Sequence, residues 1–356
     1  MADRFLETAR ALAADVLAPA AERVDAEGVP VGHIRALRTA GLLGLTAPAA
    51  LGGGGASAAV GRMVSEVLAG ACGATWFVAA QHATPLQTVL ASDNREVRTR
   101  WLSPLARSEA LAGVAVSHLR RPGSPVTATA TAEGWRFDGR VDWMTSWGLA
   151  DVVLLGGLTA AADVVLALLS ARDQPGLRAT AELRLAAMEG AHNVGLTVTD
   201  LRVPAAAVAS VAPLAEWQER DRQATANARP AVFGLLRTIT DRLAAVAAAR
   251  GSNAGAELAA ALAEEGAALR QQAYALLDDV PADERLDDRL AIRADALEVL
   301  NRAASALVVT GAGTAMLRSN PAQRFAREAM FHLVQAQTPA VREATLRRLH
   351  SRTHPG

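Results

Sequence analysis

Gly139-Arg140-Val141-Asp142-Trp143-Met144-Thr145-Ser146-Trp147-Gly148-Leu149-Ala150-Asp151 lies between two alanine-rich, helix-patterned blocks and leads into the β-type run Val152-Val153-Leu154-Leu155. Two tryptophans and two hydroxyl residues crowd into five positions, in a chain with only 6 Trp and 1 Tyr. A flat aromatic beside short hydrogen-bonding side chains suits one face of a planar heterocycle; a strand end with its Trp in the core is the plainer reading.

Outward from this stretch the chain divides by composition. Before it, Phe5, Ala9, Leu12, Val16 and Ala20 keep helical spacing, and Pro19 either interrupts that helix or starts a new segment. Gly32 to Thr39 reads as a second helix stopped by Gly41, Ala58 to Leu90 as a third helical block, and Arg95 to Leu105 as a fourth helix. Gly52 to Gly55 reads as a structural loop, since no strand precedes it at dinucleotide-binding spacing and no Gly-Lys-Ser/Thr follows.

Around the stretch, short runs at Val114–Ser117, Thr127–Thr131, Trp135–Phe137, Val152–Leu155, Val164–Leu169 and Thr197–Pro204 are β-branched, aromatic or alternating, which predicts a small β-barrel or sandwich. Arg120 and Arg121 fall in a connection and read as a solvated turn, with an anion site as the other reading. After Pro213, Val232–Ala249, Ala254–Leu277, Asp288–Val309, Ala326–Val334 and Ala340–Leu349 have bundle-type helical patterns. The acidic run from Asp278 to Asp287 reads as a solvated connection. The expected division is a helical unit over residues 1–113, a β unit over 114–212 and a helical bundle over 213–356, an α+β architecture.

Composition narrows the chemistry. All 36 basic residues are Arg, matched by 36 acidic ones. The absence of Lys excludes a lysine Schiff base, and zero net charge without a basic block argues against nucleic acid. A single Cys and scattered His without HExxH argue against disulfides and a metal site. No secretory signal or membrane span is evident, so a cytoplasmic location is expected. His82 and His332 are the candidates for proton work, each with a packing role as the plainer reading.

Six segments in order carry a resemblance. Gly41-Leu-Leu-Gly-Leu-Thr-Ala-Pro48 with Gly52-Gly53 looks like GLxGLxxPxxxGG, and Trp101 to Gly113 like yLpxLaxGexxg. Gly139 to Asp151 looks like GxKxWITNxxxAD, and Asp173-Gln-Pro-Gly-Leu177 like tpGl. Asp200-Leu-Arg-Val-Pro204 resembles dvrVP, and Arg324-Phe-Ala-Arg-Glu328 resembles eRlyRDa. Over nearly its whole length the chain resembles the acyl-CoA dehydrogenase superfamily, which implies an N-terminal helical domain, a middle small β-barrel and a C-terminal four-helix-type bundle.

That resemblance implies a site for FAD or FMN. Trp143 and Thr145 take the flavin-facing positions, with Ser117, Gly123 and Ser124 in the loop that corresponds to TEPxxGSD. Thr310, Gly311 and Gly313 stand at the phosphate-binding turn, and Thr338 follows the position of the usual catalytic glutamate. His118, Leu119 and Pro125 break the loop pattern, and no RxxFG segment is present, Ala249-Arg250-Gly251-Ser252 being the nearest substitute; this implies a weakly held flavin. The glutamate position reads Ala336, and the alternative base position on the first bundle helix aligns with Ala224, followed by Thr225. A relocated base would have to be a residue such as Glu216 or Glu219.

The implied functions are an oxidoreductase acting on an acyl thioester or related small molecule, a two-component monooxygenase, or a flavin-free relic with a supporting role. The monooxygenase branch is suggested by Thr310 to Pro321 before Gln323-Arg324, which looks like GGsalyrsnPlqR. The implied partners are a flavin reductase or carrier protein, and further copies of the chain as a homodimer or homotetramer.

Overall fold

The computed structural model describes residues 2–121, 123 and 126–351. Seven helices come first: α1 (Ala2–Leu12), α2 (Ala18–Glu27), α3 (Val31–Thr39), α4 (Ala58–Ala71), α5 (Gly73–Ala80), α6 (Ala83–Ala91) and α7 (Arg95–Ala106). Pro19 sits in the first turn of α2, where its missing N–H costs nothing, and one π-helical turn, Ala13–Leu17, joins α2 to α1. The block from Ala58 to Leu90 is three helices rather than one. Cys72 takes an extended conformation (φ −155°, ψ 104°) that no helix continues through. The Gly52–Gly55 loop is structural: the N–H groups of Gly53, Gly54 and Gly55 bond to the carbonyls of Pro48, Gly44 and Ala47, leaving none of the three to cradle a phosphate.

Eight strands follow: β1 (Ala112–Ala115), β2 (Val126–Thr131), β3 (Gly134–Met144), β4 (Val152–Leu158), β5 (Asp163–Ser170), β6 (Leu177–Glu182), β7 (Val194–Pro204) and β8 (Val208–Pro213). Their hydrogen-bonded order is β6-β7-β3-β2-β4-β5-β8, with β1 beside β4. Two arms, β6-β7-β3-β2 and β1-β4-β5-β8, meet at one register pair, Thr127 with Leu158. Phe137, Val141 and Leu196 from one arm share a core with Val153, Leu155 and Val165 from the other. Val152, Leu154, Leu166 and Leu168 face the opposite way, onto Leu86, Val89 and Leu102 of α6 and α7. Both faces of β4 and β5 are therefore buried, which explains their unbroken apolar runs. The end strands β6 and β8 were not legible in the sequence; Leu177-Arg-Ala-Thr-Ala-Glu182 and Val208-Ala-Ser-Val-Ala-Pro213 are half-exposed edges with little β-branched character.

The chain ends in α8 (Leu214–Ala226), α9 (Pro230–Arg250), α10 (Asn253–Asp279), α11 (Leu286–Gly311), α12 (Pro321–Val334) and α13 (Pro339–Ser351). Here α9 packs on α10 and α11, and α11 on α12 and α13, around Phe233, Leu236, Ile239, Leu262, Leu297 and Leu300. Among the described residues, no helix is long and apolar enough to cross a membrane.

The N-terminal helices join the bundle where α4 crosses α9, and the approach is close. A Cβ added to Gly234 would lie 2.1 Å from the carbonyl oxygen of Glu66 and 2.5 Å from its Cα. Both obstacles are backbone, so Gly234→Ala forces the helices apart; a loss of roughly 1–3 kcal/mol is expected from overpacking. An unchanged urea midpoint in that variant would show that the crossing yields freely.

Candidate functional site

The opening stretch forms the end of β3 and a strained turn. Met144 is fully buried, Trp143 on the other face of the strand is 45% exposed, and Trp147 packs partly into the core. The two tryptophans thus have different fates, set by the period-two alternation of the strand and the turn after it. Ser146 holds φ +70°, its N–H bonds to the carbonyl of Ala191, and its hydroxyl bonds to the Thr145 carbonyl. Asp151 closes the stretch by accepting from the Leu111 N–H at 2.7 Å and pairing with Arg38 of α3.

Beside Trp143, the buried Thr145 hydroxyl donates to Asn193 Oδ1 at 2.8 Å, and Asn193 Nδ2 donates to the Met188 carbonyl at 2.8 Å. An exposed indole next to this pair fits the face of a planar ring. The hydroxyl hydrogen of Thr145 is already spent, so the fit rests on the aromatic face more than on the threonine.

The loop residue Ser117 opens a 3-10 turn, Ser117–Arg120, and is half-buried. Gly123 is exposed with φ +65°, while Ser124 and Pro125 lie outside the described residues. Arg121 is exposed in a bend, as a solvated turn requires, whereas Arg120 is half-buried. Arg121 pairs with Asp142, next to Trp143, and Arg120 forms a two-pronged bond to Asp221 of α8 at 2.8 and 2.7 Å. Adjacent residues thus tie the aromatic wall to the bundle. Between them and β4, His118 is buried, with Nε2 2.9 Å from the Gly156 carbonyl and Nδ1 unpartnered among the described residues. Burial pushes its pKa down to about 4.

The other implied cofactor residues lie on the bundle. Thr310 is in the last turn of α11 with its hydroxyl on the Ala306 carbonyl, Gly311 is buried, and Gly313 is exposed with open space where a Cβ would stand. Exposed Val309, Met316 and Leu317 flank this turn. Thr338 caps α13, its hydroxyl accepting from the Val341 N–H at 3.3 Å.

Of the two candidate histidines, His82 is a structural pin. Its Nε2 reaches the Leu105 carbonyl at 3.1 Å and its Nδ1 accepts from the Ala112 N–H at 3.2 Å, joining α7 to β1. Both nitrogens are committed, and burial lowers its pKa to about 4. His332, near the end of α12, is buried against Trp76, with ring centroids 5.5 Å apart, and its Nδ1 lies 3.2 Å from Gln335 Oε1. It too is pushed down to about 4, by burial first and then by Arg293 and Arg229.

Ala336 follows Gln335 and holds φ +48°, a left-handed conformation, with no carboxylate to offer. Ala224 is exposed on α8, and Thr225 after it is buried. The structure starts the first long bundle helix at Pro230, capped by Arg229, so the residue before an arginine at that helix head is Ala228, which also has no base. Glu216 and Glu219 point to local partners on α8, Arg220 and Arg222.

A cluster that the sequence did not announce lies beside Gln335. Arg229, Arg293, His332 and Gln335 line one narrow pocket. Arg293 is 3% exposed; its guanidinium donates to the carbonyls of Thr225 and Gln335, the latter at 2.8 Å. The signal was available: Arg289 and Arg293 occupy the α11 stripe continued by Ala296, Leu300, Ala303 and Leu307. Arginines at core positions of a helix are anomalous unless something holds them.

Residues 2–109 match the family model described as the acyl-CoA dehydrogenase N-terminal domain. A probable acyl-CoA dehydrogenase, YngJ of Bacillus subtilis (strain 168), is 26% identical over 200 residues, a match spanning 53% of this chain and 53% of that protein. Two solved structures share the fold over nearly the whole chain. Glutaryl-CoA dehydrogenase from Mycobacterium smegmatis in complex with FADH2 superposes with TM-score 0.83 at 16% identity, covering 100% of this chain and 95% of that one. Dibenzothiophene monooxygenase from Paenibacillus sp. A11-2 superposes with TM-score 0.80 at 17% identity, covering 98% and 95%. At such identities the superpositions show the fold alone; the family model matches only residues 2–109, and the chain spans about half the length of the curated relative it matches.

Proposed function

We propose that this chain is a flavin-dependent oxidoreductase of acyl-CoA dehydrogenase type, acting on an acyl thioester or related small molecule without the usual carboxylate base. The observation that carries the reading is Trp143: a large indole left 45% exposed, close in the chain to the buried Thr145–Asn193 pair, offers a flat aromatic face to a planar ring. FAD or FMN, when bound, would supply the redox chemistry. Trp143 would cover its ring, and the Gly311–Gly313 turn would offer backbone to its phosphates. The apolar Val309, Met316 and Leu317 around that turn suit a second copy of the chain, as in a homodimer or homotetramer.

Ala336, Ala228 and Ala224 leave all three base positions without a carboxylate, which favours a second reading as a two-component monooxygenase fed by a reductase. The test is direct. Flavin titrated into the purified protein should change the absorbance, and Trp143→Ala should weaken binding about tenfold through the lost stacking and burial. Unchanged affinity would make Trp143 a surface residue only, and no spectral change in the wild type would leave the flavin-free reading. Anaerobic bleaching by an acyl thioester identifies the dehydrogenase; oxygen-dependent product formation with a reductase identifies the monooxygenase.

A further inference from the structure

Between β6 and β7 the chain makes a short 3-10 turn, Glu189–Ala191, with Met188 before it at φ +57° and His192 after it at φ +51°. Two left-handed residues other than glycine in one turn cost backbone energy, so contacts from outside must hold it. They come from the corner between α2 and α3. The Val29 N–H donates to the Gly190 carbonyl at 2.8 Å, and a Cβ on Gly190 would lie 2.1 Å from the Val24 carbonyl oxygen. The His192 ring lies so close over Gly28 that a Cβ there would come within 2.8 Å of it. The same turn holds the stretch that follows β3. The carbonyls of Ala191 and His192 accept from the N–H groups of Ser146 and Trp147 at 3.0 and 3.1 Å, and Asn193 accepts from the Thr145 hydroxyl.

The His192 ring joins the two sides. Its Nδ1 lies 2.8 Å from Oε1 of Glu182, at the end of β6, and its Nε2 lies 3.1 Å from the Val29 carbonyl oxygen. Both neighbours are acceptors. A neutral imidazole has one N–H, so it satisfies one of them and turns a lone pair on the other; an imidazolium donates to both. We propose that His192 is a proton-operated clasp. Protonated, it ties the α2–α3 corner to the β6–β7 turn and so fixes the Thr145–Trp147 turn; deprotonated, it releases one side. The charges around it favour this reading. Glu182 is the carboxylate in contact with the ring. On the turn itself Glu189 is paired with Arg184, and on α2 Asp25 is taken by both prongs of Arg327, while Arg23 and Glu27 are exposed. In the stretch after β3, Asp151 is paired with Arg38. The clasp needs no cofactor and is independent of the flavin reading, although it acts on the turn that follows Trp143. Its sign is distinctive. The fold keeps His82, His118 and His332 neutral and loses stability as the pH falls, whereas the clasp strengthens as the pH falls and weakens as it rises.

The test is amide hydrogen exchange of the full chain, followed residue by residue by NMR at pH 6 and pH 8 and corrected for the intrinsic rates. The Asp151 N–H, which bonds to the Leu111 carbonyl, is the internal reference in the same stretch. Protection of the Ser146 and Trp147 amides, relative to Asp151, should be about threefold to fivefold higher at pH 6, the scale of a partly exposed ion pair. His192→Asn keeps a residue that tolerates the left-handed backbone but removes the titrating ring, so the difference should vanish. Glu182→Gln changes an exposed side chain and offers the ring a donor or an acceptor as needed; the clasp then holds at both pH values and the difference should shrink. Equal or lower relative protection at pH 6 in the wild type overturns the proposal, and so does a pH difference that survives in His192→Asn. If that variant fails to fold, an undiminished difference in Glu182→Gln overturns it instead.

Discussion

Stability should fall steeply as the pH drops from about 6.5 towards about 4. His82, His118 and His332 are each buried and each pushed down to about 4, with burial the first cause in every case. In the unfolded chain they return to about 6.5. Between those values the unfolded chain holds protons that the native fold does not, so stability is complete above pH 6.5 and is lost as the pH falls through the window. Each histidine contributes about 1.4 kcal/mol per pH unit there. The buried Glu328 works the other way, because desolvation raises its carboxyl, and it offsets one proton at most. His33 is lowered as well, by burial first and then by Arg23, so the net uptake on unfolding is at least about two to three protons, or about 3–4 kcal/mol per pH unit. Over that window the loss amounts to about 7–10 kcal/mol, so a fold at the lower end of the usual range of about 5–15 kcal/mol should be lost before pH 4 and a more stable one weakened by that amount. Urea midpoints at pH 7.5, 6.5, 5.5 and 5 measure this; a flat profile would mean that the histidines are charged or hydrated in the native state. His82→Gln keeps a donor for Leu105 and an acceptor for Ala112 but does not titrate, so it should reduce the slope by about one proton.

Arg289→Met should cost about 3–5 kcal/mol, more than almost any surface substitution. Arg289 is 2% exposed in the first turn of α11. Its Nε donates to the Glu284 carbonyl at 2.9 Å and one terminal nitrogen to Asn227 Oδ1 at 2.7 Å. The other terminal nitrogen reaches the carbonyls of Leu276, Val280 and Pro281 at 3.0, 3.0 and 2.9 Å. This guanidinium therefore satisfies the carbonyl end of α10, where the helix dipole also favours a cation. Methionine fills most of the space but donates nothing, leaving buried carbonyls and Asn227 without partners. Arg289→Lys keeps the charge with fewer, differently aimed donors and should fall between the two. Thermal or urea denaturation of the three proteins ranks them; a methionine variant within 1 kcal/mol of wild type would mean that water reaches those carbonyls.

The cost of Arg289 and Arg293 also marks the limit of what sequence periodicity could read. Long Ala/Leu patterns located α9 to α13 because a helix in a bundle must bury one stripe, and a stripe is a local property. The apolar run Val152–Leu155 located β4 for the same reason, and Gly41 and Pro19 marked their helix boundaries through backbone geometry alone. The edge strands β6 and β8 were missed because a half-solvated edge needs no such pattern.

The site divided along the same line. Trp143 and Thr145 stand two apart in the sequence, but β3 ends at Met144, so the first is exposed and the second buried. Which tryptophan faces solvent was settled only by the turn at Ser146 and by the arms of the sheet, which bury Met144 and leave Trp143 out. His82 and His332 looked alike as isolated histidines among apolar residues. They differ because β1 supplies an N–H to the first, whereas α9 and α11 bring two arginines to the second. Sequence by itself determined the helical blocks, six of the eight strands and the aromatic stretch, all of which are written in neighbouring residues. Only the tertiary structure decided which charges lose water and which find partners, because desolvation and ion pairing depend on residues tens to hundreds of positions apart.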